Sequence, residues 1–207
     1  MLLLGLALAF LLAGFAAFAV DRRAIHYFRD HLHRPLFKFA LRVTDWAKGG
    51  PWIGGALVLY LATQIAIAFY PVTPALRPLA AYSLALLTAF VAGSIVLHAV
   101  KVLLGRLRPR DEFEHGLYGF RYFTWQLQYD SFPSGHSMTI FTVATVLSAA
   151  IPLLAPVWFV AATGFALTRA LLTAHFLSDV LVGAAIGIIA AREVMVLGFP
   201  ALAPGWF

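Results

Sequence analysis

Three short groups of polar residues carry what chemistry this apolar chain offers: Lys101 with Arg108-Pro109, the run Pro133-Ser134-Gly135-His136, and Arg169 with His175 and Asp179. Charged groups beside or inside hydrocarbon-length segments are expensive and are kept mainly for function. The inventory is three cations, two imidazoles and one carboxylate, which suits holding a phosphate and attacking it. His175 and Asp179 are four residues apart, hence on one face if the segment is helical. A carboxylate bonded to one ring nitrogen fixes the tautomer and leaves the other nitrogen free as a nucleophile. The alternative for that pair is a polar tie between two helices. Pro133 to Gly135 reads as a turn before an apolar helix, whose free amides and dipole favour an anion. Ser134 then either caps that helix or binds a phosphate oxygen. His136 is placed to protonate a leaving oxygen and later deprotonate water. Lys101, Arg108 and Arg169 can neutralise charge spread over three phosphoryl oxygens. Snorkelling at a helix end is the alternative for the first two, whereas Arg169, inside an apolar run, demands a partner. Arg106 and Arg110 read as surface charges.

Composition sets the surroundings. The chain has 207 residues, 62% of them hydrophobic and 12% charged, with a mean hydropathy of +0.87. A water-soluble domain of this size cannot hide that much apolar surface, so the class is integral membrane protein. The formal net charge of +6 does not point to nucleic acid, because the cations flank apolar spans rather than cluster on a soluble module. No cysteine is present, which excludes disulfides and thiolate chemistry.

The elements that must position these groups follow from hydropathy. Met1–Val20 reads as a retained first span, Trp52–Tyr70 as a second and Leu79–Val100 as a third. Ser137–Ile151 is a short fourth, Val157–Ala174 a fifth containing Arg169, and Phe176–Ala191 a sixth with Asp179 in its first turn. Residues 21–50 alternate seven Lys/Arg with apolar residues at three- and four-residue spacing, interrupted by Pro35. Such a segment lies in the headgroup plane, either as a plain connector or as a surface gathering anionic lipid. Gly183 and Gly187 form a small-residue pattern suited to packing helices within one bundle. The expected fold is thus all-α: one domain over residues 1–207, a bundle of six transmembrane helices with an interfacial amphipathic segment at 21–50 and the motif region at 101–179. Counting crossings alone brings the ends of spans three and five and the starts of four and six, and with them all three polar groups, to one face.

At these residues the chain resembles the type 2 phosphatidic acid phosphatase family, whose pattern is Lys-x6-Arg-Pro, Pro-Ser-Gly-His and Ser-Arg-x5-His-x3-Asp. All three are present in order and with the right internal spacing; Thr168 stands where serine is usual and keeps a hydroxyl. The resemblance implies metal-independent, cofactor-free hydrolysis of a lipid phosphate monoester or diphosphate through a phosphohistidine. It implies His175 as nucleophile, Asp179 as its orienting partner and His136 as general acid, then base. Lys101, Arg108, Ser134, Gly135 and Arg169 are then the phosphate ligands. Phosphatidic acid, phosphatidylglycerol phosphate, undecaprenyl diphosphate and phosphorylated lipid A are the substrates in view, and the bilayer is the partner. A phosphotransferase and a phospholipid-binding or transport protein without turnover are the competing readings. The second leaves both histidines unexplained, since binding needs the cations but no nucleophile. The resemblance also implies a multi-pass protein of the inner (plasma) membrane with its active site on the periplasmic side. Against that, thirteen Lys/Arg fall on the active-site side and two on the other, which by the positive-inside rule points to the cytoplasm.

Overall fold

The computed structural model describes all 207 residues. The chain is mostly helical, and its several long apolar helices make it a multi-pass membrane protein. Helix α1 (Leu2–Ala17) meets α2 (Asp21–His31) at a bend of 84°. Helix α3 (Arg34–Val43) follows a break at Leu32-His33, with Pro35 in its first turn, where a missing N–H is harmless. A 3₁₀ turn over Thr44–Ala47 leads into α4 (Gly49–Phe69). Helix α5 (Leu76–Leu103) returns and ends in Lys101's turn. A short polar insertion then holds β1 (Leu104–Arg106), α6 (Pro109–His115) and β2 (Phe120–Tyr122), with β1 and β2 paired antiparallel, Gly105 opposite Arg121. Helices α7 (Gly135–Ala150), α8 (Ala155–Leu171) and α9 (Leu177–Gly198) complete the bundle. The two-stranded ribbon is an addition to the all-α expectation.

Four runs are long and apolar enough to cross a bilayer: Arg34–Phe69, which includes α4, then α5, α8 with the 3₁₀ turn before it, and α9. Helices α1 and α7 have 16 residues each, about 24 Å at 1.5 Å per residue against a hydrocarbon core of about 30 Å.

Helices α7 and α9 form the central pair; α5 and α8 pack against α7, and α1 lies along α9. Gly183 and Gly187 make the central contact close. A Cβ on Gly183 would press on the Ser134 backbone, and one on Gly187 on Met138 and Thr142. The pair therefore packs helices inside the bundle, as its spacing suggests. Helix α4 is peripheral: it runs along α5 and meets α7 only at its edge, with Ala56 and Thr63 its only buried residues.

Candidate active site

Lys101, Arg108, Gly135, His136, Arg169 and His175 line one cavity of about 350 Å³, together with Gly49 and Ile53 of α4 and Leu97 and Asp130 among others. The end of α5, the start of α7, the end of α8 and the start of α9 meet there, as counting crossings anticipates. Six of the eight residues singled out in the sequence thus share one wall. The other two, Ser134 and Asp179, are fully buried just behind it.

Each side chain is placed by a local feature. Ser134 is the N-cap of α7, its Oγ accepting from Ser137 N at 3.5 Å, and its own N–H donates to the Asp179 carbonyl at 2.9 Å. The capping alternative for Ser134 is therefore what the geometry displays, and it turns the first amides of α7 toward the cavity end. Arg108 is the N-cap residue of α6, where Pro109 fixes the first helical φ. Its Nε donates to Asp130 Oδ1 at 2.7 Å, and the Lys101 ammonium donates to the Asp130 carbonyl. Burial works against ionisation of Asp130, but the Arg108 hydrogen bond and the Arg108 and Lys101 charges hold its carboxyl below the ordinary value.

Arg169 closes the last turn of α8, and its carbonyl accepts from the N–H groups of Ala174 and His175 at 3.0 and 3.2 Å. The partner it demands is a hydroxyl: Nη1 donates to Thr44 Oγ1 at 3.1 Å. Thr44 Oγ1 lies 3.0 Å from Thr168 Oγ1, which in turn donates to the Phe165 carbonyl at 2.6 Å. The hydroxyl at position 168 thus has a use. Nε of Arg169 is buried without a partner, an orphan donor at the cavity wall.

His175 is buried, 3% exposed. Its Nδ1 lies 2.8 Å from the Ser131 carbonyl and 3.6 Å from Asp179 Oδ2. A carbonyl only accepts, so Nδ1 carries the hydrogen and Nε2 is the ring's free nitrogen. The tautomer is fixed, though by a backbone carbonyl rather than by a direct bond to Asp179. Burial pushes the His175 pKa below its ordinary value against the pull of Asp179.

Arg106 departs from the sequence reading. It is not a surface charge but fully buried: Nη1 donates to Ser178 Oγ at 2.7 Å and Asp179 Oδ1 at 2.6 Å. Nη2 donates to Asp21 Oδ2 and the Tyr118 hydroxyl, both at 2.8 Å. Spacing in the sequence cannot distinguish a guanidinium that faces water from one that faces two carboxylates. Arg110 is exposed, as read. Sequence reasoning also passed over Thr44, Asp130 and Ser131, ordinary polar residues; Ser131 meets His175 across 44 positions and Thr44 meets Arg169 across 125.

Fold and cavity together define a helical membrane protein with two imidazoles and three cations around a space of phosphate-ester size. Residues 81–201 match the family model described as the PAP2 superfamily, and the chain belongs to that family. It is 30% identical over 102 residues to a lipid A 1-phosphatase of Rhizobium etli, a match covering 49% of this chain and 44% of that one. A lipid A 1-phosphatase of Rhizobium johnstonii matches at 30% over 97 residues, 47% of this chain and 40% of the relative. The matches thus span less than half the length of these curated relatives. The crystal structure of Aquifex aeolicus LpxE superposes with a TM-score of 0.59 at 22% identity, covering 86% of this chain and 95% of that one. That of the first transmembrane PAP2 type phosphatidylglycerolphosphate phosphatase from Bacillus subtilis gives 0.54 at 19% identity over both whole chains. These two are likenesses of fold.

Proposed function

We propose that the protein is a membrane lipid phosphatase working through a phosphohistidine. The observation that carries this is the single cavity in which His136 and His175 face the same space as Lys101, Arg108 and Arg169. Nε2 of His175 attacks phosphorus as the bond to the lipid oxygen breaks. His136 gives that oxygen a proton. His136 then takes a proton from water, whose oxygen attacks phosphorus, and the P–N bond breaks to release inorganic phosphate. Lys101, Arg108, Arg169 and the Gly135 amide neutralise the equatorial oxygens, while Ser134 holds the turn that presents that amide. Asp179 stabilises the charged His175 ring. Charge neutralisation rests on side chains, so the step calls for no metal ion.

All six apolar helices cross the bilayer in this reading. For α1 and α7 the support is their apolar composition and the central packing of α7, whose residues 137–146 are all buried. Residues 21–50 lie in the headgroup plane, and the cavity opens on the periplasmic side of the inner membrane. The names of the Rhizobium relatives favour a lipid A 1-phosphate as substrate.

The test is phosphate release by purified protein in detergent with EDTA, across lipid A, phosphatidylglycerol phosphate, undecaprenyl diphosphate and phosphatidic acid. A His175→Ala protein runs alongside. Release from one lipid, insensitive to EDTA and lost in the variant, is the expected result. Appreciable release by the variant removes the nucleophile. EDTA inhibition reversed by a divalent cation overturns the metal-free step. Vanadate binding without release from any lipid favours a binding protein.

A further inference from the structure

The largest fully buried side chain belongs to a residue for which the proposed chemistry has no use. Arg106 is 0% exposed and lies among four aromatic rings, its guanidinium carbon 4.0 Å from the Phe176 centroid and 4.9 Å from that of Phe18. A buried guanidinium needs its charge met; Nε of Arg106 has no partner, so its two Nη groups carry all its bonds. Here the partners are Asp21 and Asp179, both also 0% exposed.

Hydrogen-bond accounting on the two carboxylates shows what the arrangement holds still. Asp179 Oδ1 takes Arg106, while Oδ2 takes Ser131 Oγ at 2.6 Å and the Phe176 N–H at 2.9 Å. None of these bonds is to His175, and Oδ2 stands 3.6 Å from Nδ1 as a fixed charge. The same Ser131 that is held by Asp179 supplies the carbonyl that fixes the His175 ring. On the far side, Asp21 Oδ1 accepts from Ser178 N at 3.0 Å, and Oδ2 accepts from Arg106 and from Ser178 Oγ. Asp21 begins α2, immediately after the bend from α1 and outside the region matched by the family model.

We propose that Asp21 and Arg106 are positioning residues for His175: Asp21 anchors the Arg106 fork, Arg106 fixes Asp179, and Asp179 with Ser131 fixes the ring. The N-terminal bend is thereby part of the active-site frame. Neither residue touches the cavity, and this inference rests on His175 being the nucleophile. With Asp21 neutral, the Arg106 fork loses its second anchor, and the guanidinium shifts together with the Asp179 oxygen it holds. Displaced rings cost turnover rather than binding, because the cradle cations are on other elements.

The experiment compares Asp21→Asn, Arg106→Lys and Ser178→Ala proteins with wild type, measuring kcat and KM on the best lipid phosphate and counting folded sites by vanadate binding. Expected is a fall in kcat per site of roughly tenfold to a hundredfold for the two charged positions, in line with losing a hydrogen bond between charged groups. KM and the vanadate dissociation constant stay within about twofold. Lysine does not rescue, since one ammonium cannot reproduce a planar fork to two carboxylates. A purely structural clamp predicts fewer vanadate-binding sites but wild-type kcat at each, and that result overturns the proposal. Ser178→Ala leaves the charges in place and removes only the hydroxyl bridging Arg106 and Asp21. The loosened fork is expected to lower kcat per site several-fold in that protein, and unchanged kcat there refutes the inference even where the charged variants fail to fold. Absence of phosphate release by wild type defeats the function proposed above; an active wild type with an equally active Asp21→Asn defeats only the clamp.

Discussion

Substituting Gly183 with alanine tests whether the spacing between α7 and α9 sets the cavity. The added Cβ would overlap the Ser134 carbonyl oxygen and stand 3.2 Å from the Ser134 carbonyl carbon and nitrogen. These are backbone atoms at the cap of α7, so no side chain can rotate out of the way. Restoring ordinary contact at about 3.5–4.0 Å asks the start of α7 to retreat by about 1 Å. Overpacking of this kind costs about 1–3 kcal/mol, offset by about 1 kcal/mol of improved helix propensity. A net loss of about 0–2 kcal/mol leaves most of the protein folded. The larger consequence is catalytic: Ser134 carries Gly135 and His136 with it, and a displacement near 1 Å costs about a hundredfold in rate. The assay is kcat/KM on the lipid phosphate alongside thermal unfolding in detergent. Gly164→Ala on α8 is the control, because nothing lies within 4 Å of its added Cβ. Wild-type kcat/KM in Gly183→Ala, at unchanged or lowered melting temperature, refutes the argument that helix spacing positions the imidazole.

Three further outcomes are expected. Because burial holds His175 below its ordinary value near 6.5, the ring is neutral at pH 7, and in the proposed mechanism it gains an inactivating proton only as pH falls through that lowered value. The acid limb of single-turnover phosphoenzyme formation therefore lies below pH 6.5, and a midpoint above 7 contradicts the burial argument. Thr44→Val removes the acceptor of the Arg169 Nη1 bond, worth about 1 kcal/mol or somewhat more for a charged donor; KM or the vanadate dissociation constant rises roughly fivefold to tenfold, and no change assigns Arg169 another support. Asp130→Asn takes away the carboxylate that occupies Arg108 Nε at 2.7 Å. Vanadate then binds several-fold more tightly, whereas weaker binding shows that Asp130 orients Arg108 rather than competing for it. The partly exposed ion pair, about a third accessible at each side chain, keeps the expected effect small.

Much of the lining of the candidate cavity was legible because the bilayer makes polar residues conspicuous. Hydropathy places Lys101 at the end of one apolar run and His136 at the start of another, and counting crossings brings them to one face without further knowledge. Pro35 and the 183/187 glycine pair also announce their roles, as a helix break and a close packing point. The supporting residues were not legible. Asp21 reads as one acid at the end of an apolar run, and Arg106 as one more cation in a basic loop; their pairing spans 85 positions and exists only once α1 lies along α9. The same holds for Thr44, which meets Arg169 because the 3₁₀ turn after α3 packs on α8. The four-residue spacing puts His175 and Asp179 on one face only of a helix, but His175 lies in the turn before α9; its 2.8 Å bond to the Ser131 carbonyl and its 3.6 Å separation from Asp179 are decided by tertiary packing.

Helix α4 supplies one wall of the candidate cavity through Gly49 and Ile53 while leaning on α5 for most of its length. Beside it, α4, α5 and α7 enclose an apolar space of about 420 Å³ lined by Trp52, Leu86 and Val146 among others. Helix α4 thus borders both the polar cavity, near its start, and this separate apolar space. For a substrate dissolved in the same bilayer, encounter is a two-dimensional process, governed by lateral diffusion and by the mole fraction of the lipid in its leaflet. Rates measured at fixed bulk concentration then fall as inert detergent or lipid is added, and surface dilution becomes the natural axis on which to compare one substrate with another.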